Sequence, residues 1–504
     1  MSSRNRGAEQ GYPWRRCLAG LEGQLPSTPR TYRSARPGEG SAAARARPTE
    51  RPHLRLTRLG RRALERPTIV FAIAAALTVA YVAFAVWASG AWRGELEDVL
   101  GPFMAWVIPL FLAYIPAVAI GLLMFTLLLT RYRELALAPP SGPWPAHRWP
   151  AVTIMIAALN EETAIVPALE HIAELAYDGS IAVVLADNGS TDRTAELAAD
   201  AAERLGLDYR RVVEVRPGKH WALNAALSAV TTPLVVTVDA DTLLQRAALK
   251  YLIPRIADTP QDQHVSACAG SLVPANARTN LLTRMQQWDY RLGINGVKRE
   301  QATYNSALVA QGAFSAYWTH DLRAVGGWPD AIGEDIVLTW ELLSSRGVVQ
   351  YEPVALAFTA VPERLGHLFR QRSRWARGML EGLRKHPPFT QPRYLAKFVA
   401  GIDYLVPFID FGLVFFWMPG VILFIFGYPL IVGWWSMLLL PITLLVFGLL
   451  RRWQERHVFR ALGIPLEPDK RGFLCYLFLF KVLSSFASLH GYGRYLLGAR
   501  RRWD

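Results

Sequence analysis

Leu234-Val235-Val236-Thr237-Val238-Asp239-Ala240-Asp241-Thr242 runs from an apolar, β-branched stretch straight into two carboxylates. The first five residues read as a buried strand. The i, i+2 spacing then puts Asp239 and Asp241 on the same side of an extended backbone. Two acids held so close are costly to ionise together unless a cation balances them. A hard divalent ion, Mg2+ or Mn2+, with phosphate oxygens completing its shell, meets that demand. Two solvated acids in an ordinary loop are the alternative, and the buried strand before them weighs against it.

Working outward, Val152–Ala157 and Ile181–Ala186 have the same strand character, and Ala-rich amphipathic stretches such as Thr191–Glu203 lie between such runs. Strands alternating with helices predict an α/β domain with a mostly parallel sheet and ligands at the carboxyl ends of its strands. The second strand runs into Asp187-Asn188-Gly189-Ser190-Thr191-Asp192, an acid at a strand end before a capped helix. Further on come Gly218-Lys219, which lacks P-loop spacing, then Gln311-Gly312-Ala313-Phe314-Ser315 and Gly333-Glu334-Asp335. Last is Gln371-Arg372-Ser373-Arg374-Trp375, in a basic amphipathic stretch suited to a membrane interface. Asp187 could also serve as a turn residue, and Asp335 as a helix cap.

The rest of the chain is a membrane protein's. Of 504 residues, 52% are hydrophobic and 19% charged, and the net charge is +14. Residues 1–66 hold fifteen Arg and five Glu, so +10 of that charge belongs to the tail. A basic tail beside a span sets topology and meets anionic lipid, so no nucleic-acid partner is expected. Thr68–Ser89 and Phe103–Thr130 read as spans, joined by a connection carrying Arg93, Glu95, Glu97 and Asp98. Tyr404–Phe426, Leu430–Leu450 and the weaker Phe473–Leu497 read as later spans. The divisions expected are a disordered tail (1–66), two transmembrane helices (67–133), a catalytic domain (150–361), amphipathic interface helices (362–395) and two or three further spans (396–500). Positive charge places the N-terminus and catalytic domain in the cytoplasm, at the inner (plasma) membrane. Cys17, Cys268 and Cys475 are scattered, with no metal-site or disulfide spacing.

In this order the motifs resemble those of the processive, membrane-bound glycosyltransferases of family two. That group includes the cellulose, hyaluronan, chitooligosaccharide and poly-N-acetylglucosamine synthases. Asn280–Tyr290 and Gly312–Tyr317 are most similar to the last of these. The resemblance implies a GT-A-type nucleotide-sugar domain set between transmembrane helices. It implies transfer of a sugar, N-acetylglucosamine, from a UDP-sugar donor to a growing polysaccharide, with export through the protein's own channel. By that resemblance Asp187 would hold uracil and Lys219 would lie near the nucleotide. Asp239 and Asp241 would hold diphosphate and metal, and Asp335 would be the general base. Gln371, Arg374 and Trp375, with Glu334, would meet the diphosphate and acceptor. Gly333 departs from the Thr that many relatives carry. A single addition to a lipid acceptor, or an inactive nucleotide-sugar-sensing scaffold, are the competing readings.

Overall fold

The computed structural model describes residues 66–130, 149–259, 263–432, 439–460, 462, 464 and 469–498. The tail before Arg66, the linker prolines Pro139, Pro140, Pro143 and Pro145, and Arg500, Arg501 and Arg502 lie outside these residues.

Between the apolar helices the chain folds around an eight-stranded sheet in the order β3-β2-β1-β4-β7-β6-β8-β5. The strands are β1 (Val152–Ala158), β2 (Ile181–Asp187), β3 (Asp208–Val213), β4 (Leu234–Asp239), β5 (Leu243–Leu244), β6 (Val265–Pro274), β7 (Phe314–Trp318) and β8 (Val348–Thr359). Strands β1, β2 and β4 are the apolar runs expected, because strands covered on both faces carry no polar alternation. They pair in parallel, and the register sets Ala157 opposite Asp239 and Ala158 opposite Asp187. Both acids therefore finish at the same level of the sheet. Beyond β4 the sheet turns mixed. β7 is antiparallel to both β4 and β6, while β6 and β8 are parallel to each other. That reversal brings the start of β7, next to Gln311 and Gly312, to the end of β4.

Among the described residues, four helices are long and apolar enough to cross a membrane: Pro67–Ala88, Gly90–Thr130, Tyr394–Ile425 and Lys470–Leu496. The weakest expected span, Phe473–Leu497, is thus among them. Of the expected span Leu430–Leu450, residues 430–432 and 439–450 are described, the latter within the helix Leu439–Gln454. The connection around Arg93 differs from expectation, since it is helical from Gly90 and broken only at Gly101, where φ is +82°. Its apolar face explains this. Trp92 and Leu96 are buried, the Trp92 indole donates to Leu430 O at 2.8 Å, and Arg93 stacks on Trp106.

The helix Leu365–Lys385, which carries Gln371 to Trp375, rests on Lys470–Leu496. Ser373 Oγ meets His490 Nδ1 at 3.0 Å. At Gly491 the two backbones approach so closely that an added Cβ would lie 2.3 Å from Ser373 O. Gly491→Ala is therefore expected to cost about 1–3 kcal/mol through overpacking. Thermal unfolding in detergent checks it against Gly493→Ala, a neutral control because nothing lies within 4 Å of that position. Deeper in the bundle, Asp410 accepts from Ser485 Oγ (2.7 Å) and Tyr492 Oη (2.9 Å) and faces Lys481 at 3.4 Å, tying Tyr394–Ile425 to Lys470–Leu496.

Candidate active site

Strand ends and loops converge on one crevice. At the end of β2, Asp187 is fully buried. Its Oδ1 accepts from Ser190 N at 2.8 Å, and its Oδ2 accepts from Arg211 Nε at 2.9 Å. Burial alone would raise its pKa, but the Ser190 and Arg211 hydrogen bonds outweigh it and hold the carboxyl below its usual value. Asp187 thus fixes the shape of its own loop. Asn188 extends that order to the next loop: its Nδ2 donates to Glu214 O and Arg216 O, and its Oδ1 accepts from Gly218 N at 2.9 Å.

That contact aims Lys219, the first residue of helix Lys219–Ser228. Lys219 Nζ lies 2.5 Å from Asp239 Oδ1 and 3.9 Å from Glu334 Oε1. It therefore bridges the two acidic motifs. Burial works to lower its pKa, but Asp239, Glu334 and Asp335 more than compensate and hold it firmly protonated.

The acids outnumber that lysine. Asp241 follows Asp239 in the same turn, and burial followed by repulsion from Asp239 pushes it up to about 6. Glu161, just beyond β1, is pushed up to about 7 by burial and then by Asp241, Asp239 and Asp192. Glu334, at the start of helix Glu334–Ser344, is raised to about 7 by burial and Asp335, with Lys219 opposing. Asp335 accepts from Gly312 N at 3.4 Å and from Ile336 N at 2.9 Å. Glu161, Asp239, Asp241, Glu334 and Asp335 thus share one crevice with Lys219. Such excess negative charge is what a divalent cation would balance.

The helix Leu365–Lys385 closes one side. Gly333 and Gly378 touch, and a Cβ on either would come within 2.7 Å of the other's Cα. The departure from Thr at Gly333 therefore has a local cause, which is the close seat of this helix on the acid loop. Glu381 Oε2 adds a contact by accepting from Ile332 N at 2.9 Å. On the same helix Trp375 packs against the sheet core, Arg374 is exposed, and Gln371 Oε1 is buried with no partner among the described residues.

Residues 150–378 match the family model described as "Glycosyltransferase like family 2". This segment is a family-two glycosyltransferase domain. It is 31% identical over 228 residues to the poly-β-1,6-N-acetyl-D-glucosamine synthase of Staphylococcus aureus (strain COL), covering 45% of this chain and 54% of that one. The Staphylococcus epidermidis synthase gives the same identity over 229 residues, with the same coverage. The chain thus spans about half the length of the curated relatives it matches. A mannosyltransferase of Pyrobaculum calidifontis, solved with GDP-mannose and Mn2+, is similar at a TM-score of 0.49 and 21% identity, covering 78% of this chain and 100% of that one. The glycosyltransferase domain has a GT-A-like fold with a mixed sheet, flanked by the apolar helices.

Three residues of the glycosyltransferase domain carry no assignment from the motifs. Glu161 stands in the strand-end run Asn160-Glu161-Glu162, which was its only sequence signal. Arg372 is buried under Trp375, with Nη2 2.8 Å from Asp289 Oδ2. Lys298 is buried in a segment without a motif, and its ammonium contacts Gln311 Oε1. Burial pushes Lys298 down to about 7, with Asp335 pulling the other way. Gln311 in turn donates to Gly270 O at 2.7 Å, so this pair props the loop that carries Gly312.

Proposed function

We propose that this chain transfers N-acetylglucosamine, with inversion, from UDP-N-acetylglucosamine to a growing polysaccharide at the cytoplasmic face of the inner membrane. The gathering of Asp239, Asp241, Glu334 and Asp335 around Lys219 carries this reading. The sugar follows from the staphylococcal relatives, which are poly-N-acetylglucosamine synthases.

In this reading uracil lies against the loop that Asp187 organises. Asp239 and Asp241 would hold Mg2+ or Mn2+, which would supply positive charge to the departing diphosphate. Lys219, now shared by Asp239 and Glu334, adds positive charge on the same side. Asp335 takes the proton of the acceptor hydroxyl, which attacks the anomeric carbon from the face opposite the diphosphate. Glu334, next to Asp335 in the chain, faces Lys219 at 3.9 Å. Gln371, Arg374 and Trp375 meet diphosphate and acceptor from the membrane side, where aromatic and amide groups suit a sugar ring. The helix Lys470–Leu496 packs along this helix and, together with Tyr394–Ile425, to which Asp410 ties it, lines the exit of the product. Membrane lipid surrounds the helices, and the reading needs no nucleic acid. UDP release from a panel of labelled UDP-sugars tests the donor, and competition should favour UDP-N-acetylglucosamine over UDP-glucose.

Proton competition follows from the raised acids. Asp241 titrates at about 6, and a protonated carboxylate is a poor ligand. Mn2+ affinity should therefore fall as pH drops below 6, with Kd rising about tenfold per unit for one displaced proton. Calorimetric titration at pH 5, 6 and 7.5 checks it, and a flat Kd would contradict it. Stability without metal should move the other way. Asp241, Glu161 and Glu334 bind more protons folded than unfolded between about pH 4 and 7. The metal-free domain should lose stability as pH rises through that window.

A further inference from the structure

A cavity of about 220 Å3 lies where helices Leu439–Gln454 and Lys470–Leu496 meet the helix Leu281–Trp288 of the catalytic domain. Trp288, Arg451, Asp469, Lys470, Phe473 and Leu474 line it. Lys470 opens a candidate span and Arg451 stands in the last turns of its own apolar helix, so both occupy the border between apolar and polar surroundings.

The cavity's polar groups are incompletely matched. Trp288 is only 3% exposed, yet its indole N–H is buried without a partner among the described residues. Asp469 Oδ1 accepts from Gly472 N at 3.0 Å and faces Arg284 Nη1 at 3.8 Å, while its Oδ2 is buried and unpartnered. No described carboxylate forms an ion pair with Arg451 or Lys470, and Arg451 leans over the Trp288 ring at 5.9 Å. Buried polar groups normally find partners. Of the four, the indole N–H and Asp469 Oδ2 are the buried groups left unmatched, while Arg451 and Lys470 are exposed at the cavity's mouth. One small group complements the set, with an anion for the indole beside the two cations and a cationic N–H donor for Asp469. Phe473 and half-exposed Leu474 add a hydrocarbon wall.

We propose that this cavity binds the phosphoethanolamine headgroup of a membrane phospholipid. The phosphate meets Trp288 Nε1–H, Arg451 and Lys470, the ammonium meets Asp469 Oδ2, and the acyl chains leave past Phe473 and Leu474. A bare phosphate would leave Asp469 unmatched and repel it. A choline head has no N–H to donate.

The test uses the full chain, exchanged into vesicles holding equal amounts of phosphatidylethanolamine, phosphatidylglycerol and phosphatidylcholine with identical acyl chains. Native mass spectrometry then reads the retained lipid. Phosphatidylethanolamine should be enriched over both others. Asp469→Asn keeps the helix cap, since Asn caps about as well as Asp. It should cut phosphatidylethanolamine retention by about tenfold, the worth of one charge-assisted hydrogen bond, and spare phosphatidylglycerol. Arg451→Ala with Lys470→Ala should lose both. Circular dichroism and size exclusion establish that each variant is folded. Equal retention of the three lipids, or a wild-type pattern in Asp469→Asn, would overturn the proposal. So would soluble glycerophosphoethanolamine binding as tightly as the lipid, which would place the ligand's source outside the membrane.

Discussion

Asp335→Asn is expected to slow sugar transfer by about 10²–10⁴-fold, the usual contribution of general-base catalysis. The substitution preserves size and an oxygen to accept from Gly312 N, which donates to Asp335 across 3.4 Å. What it removes is the capacity to take a proton. UDP affinity should barely change, because the nucleotide and diphosphate are assigned to the Asp187 loop, Lys219, Asp239 and Asp241. Single-turnover transfer and calorimetric UDP binding together separate three cases. A fall in rate alone identifies the base. A parallel fall in UDP affinity makes Asp335 a diphosphate or metal contact. A mild effect on both leaves it a structural residue of the first helical turn, where it accepts from Gly312 N and Ile336 N; it is not the helix cap, because Gly333 holds that position.

Asp241→Asn should have an effect of similar size by another route. A bound cation stabilises the leaving group by several kcal/mol, so losing it costs about 10²–10³-fold in rate. Here UDP and Mn2+ affinities should fall with the rate, which distinguishes this variant from Asp335→Asn. Its stability should move in the opposite direction. Asp241 is raised to about 6 by burial and by Asp239, so its ionised form is strained at neutral pH when no cation is present. The neutral amide relieves that repulsion, and the metal-free variant should melt above the wild type at pH 7.5 and lose that advantage near pH 4. A melting point below wild type at both pH values would mean that Asp241 supports the fold rather than the site.

The parts of this site that could be read in advance follow a physical pattern. Strands β1, β2 and β4 are covered on both faces, so their sequences are apolar runs interrupted only by Thr153 and Thr237, and the acids that end β2 and β4 stand out. Strand β3, Asp208-Tyr209-Arg210-Arg211-Val212-Val213, lies at the sheet edge with no fully buried residue, and its composition gives little sign of a strand. Yet Arg211 on that strand is what holds Asp187. Strand β7 reverses direction because of pairings with β4 and β6 that are remote in sequence, so no local pattern announces it. The same distance hides the Lys219–Asp239 contact, twenty residues apart, and the Lys298–Gln311 prop. Gly333 is the clearest instance. In sequence it is only a departure from a familiar Thr, and its reason appears when Gly378 is seen against it. The helical connection at Gly90–Leu100 was hidden by its charges, because Arg93, Glu95, Glu97 and Asp98 mask the buried Trp92 and Leu96.

The central claim is metal-dependent transfer from a UDP-sugar, and one assay meets it directly. The purified full chain, in lipid nanodiscs, is given UDP-N-acetylglucosamine with Mn2+ or Mg2+, and UDP release is followed alongside the size of the sugar product. UDP release that requires the cation, stops in excess chelator, and yields a polymer of N-acetylglucosamine is the predicted result. Full turnover in chelator, or folded protein that releases UDP from no sugar nucleotide in the panel, would contradict it.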